Sequence, residues 1–149
     1  MKVTGPWERH RIDEFLEAAR IPVRIGCRTP AGDPWIVSLW FAWDGAVHCA
    51  TGADAALVEF LAHDDHVSFE ISTNDPPYKG VRGRGTATVT SDVEKTQLRA
   101  LFERYLGGTD SDLGRRLLRP EREEVHIRIE PERLHTWDFT GRMPDAPTR

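Results

Sequence analysis

The sequence predicts a small antiparallel β-barrel with peripheral helices, an α+β fold. Apolar and polar residues alternate with period two in several short segments, and turn dipeptides such as Asp44-Gly45 join neighbouring segments into hairpins. Six or seven strands in a chain of 149 residues would expose two long edges unless the sheet curled on itself.

The length suits one domain, placed over residues 1–141, with a loose tail at 142–149. Apolar residues make 39% of the chain and charged residues 30%, the balance of a packed globular protein. Twenty Lys and Arg against 24 Asp and Glu give a net charge of −4, which offers no global attraction to nucleic acid or anionic membranes. No apolar run reaches the roughly 18 residues of a membrane span, and the opening MKVTGPWERHR lacks the apolar core of a secretion signal, so the cytoplasm is expected. Cys27 and Cys49 lie in strand-like stretches at no metal-ligand spacing and read as buried reduced thiols.

Along the chain, Asp13 caps a helix through about residue 20 with Phe15, Leu16 and Ala19 on one face, and Pro22 ends it. Val23, Ile25 and Cys27 then alternate with Arg24, Gly26 and Arg28 as a strand, followed by a turn over 29–34. Residues 35–43, WIVSLWFAW, are apolar on both faces and predict a central strand. Asp44-Gly45 turns the chain into a partner strand at 46–50. A helix over about 54–62 carries Leu57, Val58 and Leu61, and Val67, Phe69 and Ile71 mark the next strand. After Pro76 and Pro77, residues 80–89 form a long strand whose glycines, Gly80, Gly83 and Gly85, signal close approach or curvature. Ser91 and Glu94 form a capping box for a helix bearing Leu98, Leu101, Phe102, Tyr105 and Leu106, stopped by Gly107-Gly108. A short helical piece near 113–118, a strand at 125–130 and a final short strand at 134–139 complete the order.

The 35–43 strand, the Asp44-Gly45 turn, Ala50-Thr51-Gly52 opening a helix, and the run from Pro76 through Gly85 together resemble the pyridoxamine 5′-phosphate oxidase-like flavin-binding split barrels. The resemblance runs from about residue 20 to 89 and extends loosely to 139. It implies a homodimer holding FMN or a deazaflavin at the subunit interface, with a redox or ligand-carrying role and a small-molecule substrate. It places Val37, Ser38, Leu39 and Trp40 along the flavin ring, Thr51 and Gly52 at the phosphate, Lys79 or Arg82 near the cofactor tail, and Trp137 against the ring from the partner. Thr hydroxyl, glycine and helix N-terminus together make a plausible phosphate cradle in chemical terms. Where relatives commonly carry an Arg-Lys pair on the first turn of that helix, this chain has Ala56-Leu57. Each missing charge-assisted contact is worth about 1.5–3 kcal/mol unless Arg24, Arg28 or Lys79 substitutes.

Other residues admit plainer roles. Arg82 and Arg84 suit either an anionic ligand or a solvated sheet face, and Trp35, Trp40 and Trp43 suit ring stacking, the core or a dimer interface. The His63-Asp64-Asp65-His66 run reads as a solvated turn without a third ligand for a metal, and no Ser-His-Asp or Cys-His set can be assembled. Two function classes follow: a flavin- or deazaflavin-dependent oxidoreductase, and a non-enzymatic ligand-binding or interaction barrel with a degenerate phosphate site. Haem or tetrapyrrole binding through His126 or His135 is a variant of the second.

Overall fold

A computed structural model describes residues 1–147. Its strands are β1 (Lys2–Thr4), β2 (Val23–Arg28), β3 (Pro34–Leu39), β4 (Ala42–Trp43), β5 (Val47–Gly52), β6 (His66–Ser72), β7 (Lys79–Ser91) and β8 (Glu124–Asp138). Four α-helices, α1 (Arg9–Ala18), α2 (Ala56–His63), α3 (Thr96–Leu106) and α4 (Asp112–Leu117), and a 3₁₀ turn at Thr140–Arg142 complete the fold. The sheet runs in the order β3-β2-β6-β7-β8-β5-β4, antiparallel throughout except that β1 lies parallel to β8. The tail expected from residue 142 therefore begins inside that 3₁₀ turn, and residues 148 and 149 lie outside the described part.

The single central strand expected at 35–43 is corrected. It is two edge strands, β3 and β4, at opposite ends of the sheet, joined only by Trp40 and Phe41. Three peptide steps separate Leu39 from Ala42 and span at most about 11 Å, so the two sheet edges must lie side by side and the sheet must curl into a barrel. The apolar residues on both faces suit this position. Trp35, Val37 and Leu39 pack against the core, Ile36 faces outward at 68% exposure, and Phe41 is fully buried in the seam.

α3 holds that seam. Trp40 stacks on Tyr105 at 5.0 Å and meets Phe102 edge-on at 5.4 Å. The Phe41 amide donates to the Tyr105 hydroxyl (3.2 Å), which donates to the Ile21 carbonyl (2.8 Å). Arg104 lies over the Phe41 ring and donates to the Leu16, Glu17 and Ala19 carbonyls, capping the C-terminal end of α1. Inside the barrel, Val23, Ile25, Phe69, Ile71, Val81, Ile127, Ile129 and Leu134 form the core, and Ile12 and Leu16 of α1 with Leu57 and Leu61 of α2 join it.

Three local expectations also change. The predicted strands at 125–130 and 134–139 are one strand, because a β-bulge absorbs Pro131 and Glu132: Arg84 pairs with Arg133 but Gly85 pairs with Pro131. A Cβ on Gly85 would lie 2.0 Å from the Glu130 carbonyl oxygen, so only glycine fits opposite the bulge. Ser91 and Glu94 form no capping box; the side chain of Asp92 accepts from the Gln97 and Leu98 amides instead. Asp13 is not a cap but lies within α1, accepting from the Trp43 indole at 2.7 Å.

Tyr105→Phe removes the acceptor of the Phe41 amide and the donor to Ile21 while keeping the ring. It is expected to cost about 1–2 kcal/mol in denaturant unfolding, and an unchanged midpoint would show that α3 does not hold the seam.

Candidate functional site

Strand register fixes which side chains share the outer face of the barrel. Arg24 lies opposite Ser38 on β3 and Glu70 on β6, and Gly26 lies opposite Ile36 and Ser68. Glu70 and Ser68 oppose Arg82 and Arg84 on β7, which oppose His135 and Arg133 on β8, and Gly80 opposes Trp137. Two adjoining grooves cross this face and share Gly26, Ile36 and Ser68. The larger, of about 750 Å³, also includes Arg28, His66 and Arg84; the smaller, of about 300 Å³, includes Arg24, Glu70 and Arg82.

Arginines outnumber carboxylates in the grooves, where Arg24, Arg28, Arg82 and Arg84 stand with Glu70 and Glu132. Arg84 and Arg133 stand directly opposite each other, a like-charge pair that costs about 0.2–1 kcal/mol when no anion lies between them. Among the described residues, no ion pair involves Arg24, Arg28, Arg82, Arg84 or Arg133. Arg24 donates to the Pro22 carbonyl and the Asn74 side chain, Arg28 donates to the Gly32 carbonyl, and Arg82 lies 5.4 Å above the Trp137 ring. β3 pairs only with β2, so half of its backbone N–H and C=O groups point away from the sheet and can bind a polar ring edge. A flat, anionic molecule matches this combination of aromatic surface, free strand edge and arginines.

The residues singled out from the sequence fall in several places. Ser38, Arg82 and Trp137 lie on this outer face. Val37 and Leu39 oppose Ile25 and Val23 and turn their side chains toward the core, leaving only their backbone on the free edge. Trp40 packs under α3, Lys79 pairs with Asp138 at the end of β7, and Thr51 and Gly52 end β5 ahead of α2. Of all these residues only Arg82 lines a groove; Val37, Ser38, Leu39, Trp40, Thr51, Gly52, Lys79 and Trp137 line neither. Arg133 escaped the sequence reading because it fell between the two strands expected at 125–130 and 134–139; the bulge carries one strand through it and turns it outward, with Leu134 and Thr136 buried. His135 Nδ1 is engaged by Thr4 and His126 Nε2 by His48, and Asp64 closes an exposed turn by accepting from the His66 amide.

A second titratable row lies beside β5 and β8. His48 Nε2 is 2.7 Å from Asp44 Oδ1, and His48 Nδ1 is 2.8 Å from His126 Nε2. Burial, and then the neighbouring His48, hold His126 below its ordinary value of 6.5. Partial burial works to raise the Asp44 carboxyl, but hydrogen bonds from His48 and the Ala46 amide prevail and hold it below 3.8. Groups whose folded pKa lies below the unfolded value stabilise the fold above the unfolded pKa and lose that contribution as pH falls. The melting temperature is therefore expected to decline below pH 6.5 through His126, and again below 3.8 through Asp44. His126→Gln should flatten the first decline in thermal melts taken at stepped pH; a slope equal to that of the unaltered chain overturns this assignment.

The sequence matches no protein-family model and no curated protein. Solved structures do match. A conserved hypothetical protein from Mycobacterium tuberculosis is 23% identical, with a TM-score of 0.72 over 97% of this chain and 91% of that one. An F420 reductase is 20% identical, with a TM-score of 0.69 over 81% of this chain and 94% of its own. A pyridoxamine 5′-phosphate oxidase-related, FMN-binding protein from Nostoc punctiforme is 12% identical, with a TM-score of 0.61 over 88% and 80% of the two chains.

Proposed function

From the pyridoxamine 5′-phosphate oxidase-like split-barrel fold that this chain shares with those structures, as its sequence implied, we propose that it is a homodimeric oxidoreductase. It holds a flavin, either FMN or a deazaflavin such as F420, against the outer face of β2, β3, β6 and β7, and acts on a small-molecule substrate. One observation carries the reading: the terminal strand β3 offers an unpaired backbone edge beside arginines that form no ion pair among the described residues. The resemblance of the sequence and the names of two structural neighbours, an F420 reductase and an FMN-binding protein, supply the ligand class.

In this reading the backbone of Val37, Leu39 and Trp40, with the Ser38 hydroxyl, meets the polar edge of the ring. Arg24, Arg82 and Arg84 attract its anionic end, Lys79 stands at the end of the same strand as Arg82, and Trp137 with Arg82 above it offers a flat surface. The bound cofactor supplies the electron or hydride transfer, and the chain orients it and its substrate. The dimer belongs to the reading through the resemblance of the sequence, and a second copy would cover the outward Ile36. Among the described residues, no helix is long and apolar enough to cross a membrane.

The absorbance spectrum and mass of the small molecule that co-purifies with the protein test the assignment directly, together with titration by FMN and by F420. Uptake of neither at tens of micromolar would sink it. Arg82→Gln and Arg84→Gln should each weaken uptake by about tenfold, the worth of one charge-assisted contact. The alternative of a non-enzymatic barrel is favoured by the carboxylates around the start of α2, where Asp54, Glu121 and Glu123 line one cavity. It expects ligand uptake with no steady-state electron transfer to artificial acceptors.

A further inference from the structure

Resting on that flavin reading, we propose that Arg122, Glu124 and Asp54 form an internal replacement for a ligand phosphate at the junction of β5 and α2. The junction is thereby closed to anions, and the anionic end of the ligand is read on the outer face alone. Thr51, Gly52 and the first turn of α2 have the makings of a phosphate cradle: a hydroxyl, a position without Cβ and free helix N–H groups. The structure fills that ground with the chain's own charges.

A Cβ built on Gly52 would lie 3.1 Å from Asp54 Oδ1 and 3.4 Å from a terminal guanidinium nitrogen of Arg122. Arg122 is committed to Glu124, with Nε and a terminal nitrogen each 3.0 Å from the same carboxylate oxygen. The Glu124 side chain is only 2% exposed, and Glu124 stands in register with Gly52 across β5 and β8. The Ala53 amide donates to the Glu123 carbonyl at 2.8 Å, which fixes the two segments together. Taking Arg122 for a ligand would strand a buried carboxylate without its partner, a costly exchange.

The remaining charge points the same way. The cavity of about 300 Å³ at this junction is lined by Ala53, Asp54, Glu121, Arg122 and Glu123, so a phosphate meets three carboxylates and one neutralised guanidinium. Ala55 caps α2 with no side-chain hydrogen bond, and the acidic Glu59 stands in the first turn, answering the positive end of the helix from within the chain. Among the described residues no cation but Arg122 lines this cavity, so the Arg-Lys pair missing at Ala56 and Leu57 is not replaced within it. The contrast is with the outer face, where five arginines form no ion pair among the described residues.

The test titrates inorganic pyrophosphate into the full chain and follows backbone amide resonances of residues 52–58 by NMR. The expected result is no saturable shift in the unaltered chain, and a saturable one in Glu124→Gln, which frees Arg122, and in Asp54→Asn, which alters only an exposed side chain. Saturable shifts at 52–58 in the unaltered chain, or none in either variant, overturn the proposal. A second arm compares FMN with riboflavin: Glu124→Gln or Asp54→Asn should raise the preference for FMN by about tenfold, one charge-assisted contact. An unchanged preference in both variants that bind flavin counts against the replacement. If the unaltered chain binds neither flavin, the flavin reading fails and the pyrophosphate arm still decides the charge replacement.

Discussion

The fold depends on the two-residue crossing at Trp40 and Phe41. Because these residues connect the first and last strands of one sheet, the sheet has no freedom to stay open: chain connectivity alone brings its edges together. The crossing has to be anchored, since Phe41 carries a backbone amide into a fully buried position. Tyr105 satisfies that amide, Trp40 stacks on the same ring, and Arg104 ties the crossing to the end of α1. Seam, α1 and α3 are therefore one unit.

Closing the barrel divides the chain's surface into two electrostatic territories. The open face over β2, β6, β7 and the second half of β8 gathers arginines that form no ion pair among the described residues, including the opposed Arg84 and Arg133. A cross-strand pair of like charges opposes folding. In the proposed reading this pair, beside a groove of about 750 Å³, gives up stability for the binding of an anion. At the start of α2 the reverse holds. Carboxylates dominate, and the guanidinium among them is paired inside the protein. The His48 and His126 row, lying between these territories on β5 and β8, adds a proton-sensitive contact without joining either.

The position of the groove follows from the same geometry. β3 is a sheet edge because the chain leaves it for β4 at the far edge, and an edge strand keeps half of its backbone groups for a partner. Had residues 35–43 formed one central strand, those groups would have been spent in the ladder and the face beside Ser38 would have offered side chains alone.

The sequence by itself determined the strands with one buried face and their hairpins: the alternation of Val23, Ile25 and Cys27 and of Val67, Phe69 and Ile71, the Asp44-Gly45 turn, and the apolar stripe of α3 are local patterns, and local patterns are legible. It also identified the split-barrel class and placed Ser38, Arg82 and Trp137 among the candidates. What only the tertiary structure decided was pairing and phase. Residues apolar on both faces fit a buried central strand and a barrel seam equally well, so the fate of 35–43 rested on which strands Leu39 and Ala42 joined. The bulge at Pro131 and Glu132 carried one strand through Arg133 and turned it outward. Arg122 came to lie over Gly52 through a pairing seventy residues away in sequence, which no spacing along the chain encodes.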